Sequence, residues 1–486
     1  MGIKQKMFLL LWLYMQQTYF WMKNRIVLFV AGCIALFLSS CLDSDDQEYE
    51  IPKDCQITAF SVAHDSILGG KLDTVKFVID QVRGEIYNPD SLPFGTEIEK
   101  VLCTLSFASG VASVEAVQDA LPDSTLYIST EDSLDFSQPV LIKTKGYDGA
   151  LNTKPYRVWV NIHQVVPDSM SWELYASNVL GFPVKEQKVI TWGEENNESY
   201  YMYVRGTDAS KGYSLYISSV SDAKSWTELA LSGLPAGEVR LSQMTEFEGA
   251  LFVPTTQGAL YRSVGGQDWT LVEQNYFVKT LLGAIEAVND GSLKQPSFLS
   301  AIVDNNGVLS FASLNEDLKE WQVGEAVYDN FPVTGFGSLA SYSSSSKQNS
   351  LTVVAGKDKD GRLLNSAWST MNGYQWALLT DIESDYFDKR EGVMLSAYDG
   401  KFCLIGGIGE SDKAFKDIYF SIDRGVTWTL SDTLTVMPED YKARGFASVL
   451  VDKEKFMLIF GGKENNNAND LDQIWKGRIN RLGFKD

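Results

Sequence analysis

Only two histidines, His64 and His163, occur in the 486 residues, and they limit the chemistry open to this chain. Both fall before residue 166, so a copper or zinc centre built on imidazoles finds no ligands in the longer remainder. Cys-x-x-Cys pairs, Cys/His clusters, GxSxG, P-loop and HExxH spacings are absent. What remains for chemistry are 63 carboxylates and the arginines. A glycoside-cleaving pair needs two carboxyl groups about 5 to 9.5 Å apart, one to protonate the leaving oxygen and one to act as base or nucleophile. Nothing in the spacing singles out such a pair. Arg205, Arg240, Arg262, Arg362, Arg390, Arg424, Arg444 and Arg478 could clamp a carboxylate, but Arg424 sits in a turn where exposure is expected. Gly356 to Gly361, GKDKDG, alternates aspartates like the start of a calcium loop but lacks the later ligands and the terminal Glu, which predicts a β-turn. The polar run Glu464 to Gln473, ENNNANDLDQ, could present amides to sugar hydroxyls or simply be solvated. No catalytic residue, metal ligand or cofactor contact is assigned from these patterns.

Cys41 is the residue whose context does specify chemistry. Lys23 and Arg25 precede an apolar run that ends in Leu38-Ser39-Ser40-Cys41, and the run is of signal-peptide rather than membrane-spanning length. The tetrapeptide resembles a lipobox, whose cysteine thiol is diacylated and becomes the mature N-terminus. Met22 opens a complete signal of its own, so residues 1–41 are read as an upstream extension plus a lipoprotein signal peptide. Asp43, Asp45, Asp46 and Glu48 then form an acidic tether over residues 42–50. That cluster resembles the export signal of lipoproteins displayed on the outer face of the outer membrane. The expected partner is therefore the membrane, through acyl chains on Cys41, with the protein facing the cell exterior. Of the other cysteines, Cys55 and Cys103 fall in one region and could pair, whereas the surroundings of Cys103 and Cys403 suggest burial.

Removing residues 1–41 takes away Lys4, Lys6, Lys23 and Arg25 and no acid, so the formal charge moves from −21 to −25. Such a chain repels phosphate, which argues against nucleic acid as a partner. About 445 residues remain, enough for two domains.

Residues 51–166 read as about seven short strands, among them CQITAFSVAH, DTVKFVID, EKVLCTLSFA and YRVWVNIHQ, which predicts an immunoglobulin-like β-sandwich. Residues 171–486 repeat a unit of two apolar strands, a third strand, and a small-residue turn leading to tryptophan. Trp226, Trp269, Trp321, Trp376 and Trp428 recur at intervals of 43, 52, 55 and 52. Six units at that period predict a six-bladed β-propeller, so the fold class is all-β throughout. Ser421-Ile-Asp423-Arg-Gly425-Val-Thr-Trp428 matches the Asp-box hairpin S-x-D-x-G-x-T-W and is read as scaffold. The sixth unit lacks a tryptophan strand of its own. SMSWELYA, with Trp172, is expected to supply it by pairing beside Trp475.

The lipobox, the tether, DTVKFVID, IYNPDSLPFGT, YRVWVNIHQVVPD and the doubled glycines Gly406-Gly407 and Gly461-Gly462 together resemble a family of uncharacterised Bacteroidota surface lipoproteins. That family joins an immunoglobulin-like domain to a kelch or galactose-oxidase-like propeller, and the resemblance implies fold and address without an activity. Kelch propellers resemble galactose oxidase, whose copper histidines have no counterpart here. Asp-box propellers resemble sialidases, whose arginine-bearing FRIP motif is missing. The expectation is a non-catalytic, surface-exposed lipoprotein whose propeller loops bind a glycan or a protein. The alternatives are a glycoside-acting enzyme with a carboxylate pair on the propeller, or a structural subunit of an outer-membrane assembly.

Overall fold

The computed structural model of the chain describes residues 55–64, 72, 75–118, 125–128, 133–147, 155–194, 197–290, 293–380 and 386–480, with isolated positions between 12 and 22. It divides into two compact units, Met1–Gln164 and Val165–Asp486. Cys41 and the acidic tether lie outside the described residues.

The described residues of the first unit form two sheets. Ile57–His64, Val101–Phe107 and Ser133–Leu134 form one. The other runs Val78–Asp80, Glu85–Tyr87, Tyr156–Trp159, Val140–Gly146, Val111–Gln118 and Thr125–Tyr127. Alternation along the strands fixes which side is apolar: Val140 and Ile142 are buried while Lys143 and Lys145 face solvent. The buried residues of both sheets, including Ile57, Val62, Ile86, Cys103, Leu134 and Val158, share one core. Fully buried Asn88 exchanges three hydrogen bonds with Asn161, of 2.6, 2.7 and 3.0 Å, which pins the final strand to the loop after Tyr87. Cys55, Cys103 and Cys403 are buried and free.

The second unit contains six four-stranded antiparallel sheets. In order their innermost strands are Val184–Trp192, Thr245–Phe247, Phe277–Ile285, Gly337–Ser343, Met394–Tyr398 and Ser448–Val451. Second strands such as Ala250–Pro254 and Met457–Phe460 are apolar and buried at every position, because both their faces are covered by neighbouring sheets. Among the described residues of this unit, helix is confined to the 3-10 turns Ala209–Lys211 and Leu241–Gln243.

A single four-stranded sheet cannot bury both of its faces, and here each apolar cluster is shared between consecutive sheets. Phe252 and Leu299 belong to one cluster, Phe311 and Val353 to the next, Val354 and Leu404 to a third, and Ile405 and Ile459 to a fourth. Tyr203 and Leu251 join the first sheet to the second. Tyr200 and Met202 of the first sheet pack with Leu458 and Phe460 of the sixth, the Tyr200 and Phe460 rings standing 5.5 Å apart edge to face. Each such buried aromatic contributes about 1.5 to 3 kcal/mol of burial. The sixth sheet takes its outer strand, Met170–Ser177, from the start of the unit, where it pairs with Gln473–Ile479. Trp172 and Trp475 therefore stand in one sheet, as the sequence reading requires.

The turns leading to the five regularly spaced tryptophans share one backbone feature. The residue three positions before each, namely Ala223, Gly266, Leu318, Gly373 and Gly425, has φ of +53°, +79°, +55°, +82° and +99°. Two of the five are not glycine, so the turn geometry persists where the sequence signal has faded.

Candidate functional site

Residues in or just before one strand of each of the six sheets line a cavity of about 330 Å³. Residues in and just before these strands are tied to one another: Phe446 N donates to Gly392 O at 2.7 Å, Gly392 N to Gly335 O at 2.6 Å, and Ser338 Oγ to Leu282 O at 2.5 Å. Leu281 N donates to Gln243 Oε1 at 3.2 Å, and Val189 N to Ser448 Oγ at 2.9 Å. Gly392, at φ +66°, must be glycine, since a Cβ there would lie 2.5 Å from the Phe446 ring. Phe336 and Phe446 are half-buried and line the cavity where these strands begin, which is its mouth.

Two buried arginines hold the loops around the mouth. Arg390 donates to Asp388 O, to Gly406 O at 3.0 Å, and to both oxygens of Asp417 at 2.6 and 3.1 Å, with its guanidinium 3.9 Å from the Phe415 ring centre. Arg444 repeats the pattern with Lys442 O, Gly461 O at 2.8 Å and Gln473 Oε1 at 3.0 Å, lying 4.4 Å from the Tyr441 ring centre. Both are completely buried, so they are structural bolts between a doubled glycine and the strand that follows. Gly406 and Gly461, at φ +61° and +63°, turn their carbonyls toward these guanidiniums.

Polar side chains line a separate basin that adjoins the cavity where Glu391 precedes Gly392. Lys357 Nζ lies 2.5 Å from Glu391 Oε1, and Asn466 Nδ2 donates to that oxygen at 3.0 Å. Asn466 N donates to Asp412 Oδ1 at 3.0 Å. Lys357, Arg362, Lys389, Glu391, Asp412 and Asn466 line an open basin of about 590 Å³. On the first sheet Arg205 meets Glu186 at 3.4 Å. Burial raises the Glu186 carboxyl pKa, against the lowering pull of Arg205, Lys463 and Arg240. Asp470, bridged to Val184 through its backbone, has a carboxylate with both oxygens sealed from solvent, facing the Gln187 amide. Burial pushes its pKa up to about 7, with Lys463 pulling down and Glu186 adding to the rise.

The residues singled out in the sequence fall into two groups. The run from Glu464 to Gln473 reaches the basin through Asn466 and supplies Asp470. Ser421, Asp423, Gly425 and Trp428 lie at the end of a third strand, opposite the mouth, because the strands alternate in direction. There Asp423 accepts from Thr427 N at 2.8 Å, Thr427 Oγ1 at 2.6 Å and Ser421 Oγ at 2.8 Å. Gly425 N donates to Ser421 Oγ at 2.7 Å, and buried Trp428 donates to Gly425 O at 3.2 Å. Arg424 is half-buried and reaches Tyr342 O at 3.0 Å. In the GKDKDG turn the Asp358 carboxylate accepts from Asp360 N and Arg362 N and is capped by Arg362 Nε at 2.7 Å, and no group of three metal-binding side chains occurs among the described residues. Sequence reasoning missed Glu391 and Lys357, and it offered Arg390 and Arg444 as carboxylate clamps, whereas both are fully buried and bound to protein groups. For the arginines a signal existed, an Arg 16 or 17 residues before each doubled glycine.

Comparison with known proteins places these observations. Residues 166–486 match the DUF6242 beta propeller domain, and residues 53–160 match the DUF6242 N-terminal domain, a domain of unknown function. No curated protein matches the chain. Among solved structures it is similar to the structure of YjhT, with 14% identity and a TM-score of 0.41 over 60% of this chain and 95% of that one.

Proposed function

We propose that this chain, which belongs to the DUF6242 family, is a non-catalytic, surface-exposed lipoprotein whose propeller binds a glycan at the cavity mouth. The observation that carries the reading is that two half-buried rings, Phe336 and Phe446, line the cavity while the hydrogen-bonding set Lys357, Glu391 and Asn466 lines a neighbouring basin, joined to it through Glu391 and Gly392. Aromatic faces with a few fixed polar groups suit a sugar, which has apolar C–H faces and a rim of hydroxyls.

In this reading the six sheets are the blades of one ring, fastened by Met170–Ser177, and the first unit is an immunoglobulin-like spacer. Cys41, acylated, anchors the protein in the outer membrane, and the tether of Asp43, Asp45, Asp46 and Glu48 directs it outward. Support for the anchor comes from the lipobox-like tetrapeptide and the apolar run before it. Metabolic labelling with a palmitate analogue should mark the wild type and not Cys41→Ser, and label on both would remove the anchor from the proposal.

Binding of the chain from residue 42 onward to a glycan panel tests the ligand. Phe446→Ala and Glu391→Gln should each weaken the best binder at least tenfold. Hydrolysis of any panel member would overturn the non-catalytic reading. The glycoside-acting alternative finds a carboxyl that keeps its proton near neutral pH in Asp470, but a group sealed from solvent does not reach a substrate.

A further inference from the structure

Below the mouth, the cavity is lined by backbone, aliphatic side chains, serines and glutamines, with one ammonium among them. Lys188 is the charged side chain lining that space, and among the described residues its Nζ has no ion pair and no hydrogen bond. Burial draws its pKa down, and no carboxylate offsets that effect. The residue is half-buried and lines the cavity. Glu186, two positions earlier on the same side of the strand, is already engaged by Arg205 at 3.4 Å. A charge held in a narrow polar space without a counter-charge is costly, and the usual resolution is a partner of opposite sign.

The neighbouring groups are donors. Ser448 Oγ accepts from Val189 N at 2.9 Å, which leaves its own proton to give. Gln243 Oε1 accepts from Leu281 N at 3.2 Å, which leaves its NH2 to give. We propose that the central cavity is an oxyanion site in which Lys188, Ser448 and Gln243 receive the carboxylate of a small organic acid. A carboxylate has two oxygens and about four lone-pair positions, enough for an ammonium and two neutral donors together. The volume, about 330 Å³, lies at the small end of ligand sites and restricts the guest to a small molecule.

Isothermal titration of the chain from residue 42 onward with acetate, glycolate, glucuronate and inorganic phosphate at low ionic strength tests the site. At least one of the three carboxylates should bind to the wild type. Lys188→Met should weaken it tenfold or more, whereas Lys188→Arg should retain most of the affinity. Lys188→Met should melt no lower than the wild type, because it removes an unpaired charge and keeps the side-chain length, so lost binding will not reflect lost fold. As a second readout, ¹³C-dimethylated Lys188 should shift its methyl resonance on addition of the acid that binds. No binding of any carboxylate, binding of phosphate alone, or equal affinity in Lys188→Met overturns the proposal.

Discussion

Trp172 lies directly across the strand pair from Gly477, and its indole passes 2.3 Å from the point where a β-carbon on Gly477 would stand. The glycine is required by space alone. Any side chain there drives the indole off the sheet and loosens the pairing of Met170–Ser177 with Gln473–Ile479. Gly477→Val should destabilise the second unit by about 1 to 3 kcal/mol, the usual cost of overpacking. Thermal unfolding followed at the tryptophan fluorescence checks it. Trp172→Ala in the same background should recover part of the loss.

Arg390 is wholly buried while Asp417 keeps about a quarter of its side chain exposed. Arg390→Met therefore strands the Asp417 carboxylate and the Gly406 carbonyl together, at a cost of about 3 kcal/mol. The double variant Arg390→Met/Asp417→Asn should regain much of this in denaturant titration. Arg444→Met should cost less, since its side-chain partner Gln473 is neutral.

Gly425 holds φ +99°, where an L side chain is strained, although the space around it is ordinary van der Waals contact. Gly425→Ala should cost about 1 to 2 kcal/mol through the backbone alone. Asp423 in the same turn is partly desolvated, which raises its pKa, but its bonds from Thr427 and Ser421 outweigh this and leave it below the usual carboxylate range. A depressed carboxyl stabilises the fold above the unfolded pKa and loses that contribution as pH falls through the folded one. The stability gap between wild type and Asp423→Asn should thus be widest at neutral pH and narrow in acid.

Asp470 has the opposite sign. Its folded pKa, about 7, lies above the unfolded value, so the folded state holds the proton more tightly and stability falls as pH rises from about 4 to 7. Asp470→Asn should be more stable than the wild type at pH 8, by at most about 4 kcal/mol, with the gain shrinking toward pH 4. Paired melting curves at the two pH values test this. An equal difference at both would show that burial does not hold the proton.

The sheets were legible because their second strands are uninterrupted apolar runs and because Trp226 to Trp428 recur with the period of the unit. Trp172 was placed beside Trp475 from a missing strand alone, a topological argument that needs no energies. The mouth was not legible. Lys188, Glu391 and Asp470 are ordinary charged residues in sequence, separated by up to 282 positions, and their placement in the cavity, in the neighbouring basin and under burial follows only from the fold. Ala223 and Leu318 hide their turns in the same way, since tertiary packing holds a left-handed backbone there that neither residue prefers. The run from Glu464 to Gln473 was visible as polar, yet its composition did not reveal that Asn466 would grip Glu391 while Asp470 would be sealed from water.

The pairing of Met170–Ser177 with Gln473–Ile479 also orders events in time. Five sheets draw all their strands from nearby sequence and can form as soon as those segments are free to pair, whereas the sixth joins strands some 300 residues apart. Until Gln473–Ile479 reaches it, Met170–Ser177 keeps a bare edge, a ready template for mispairing.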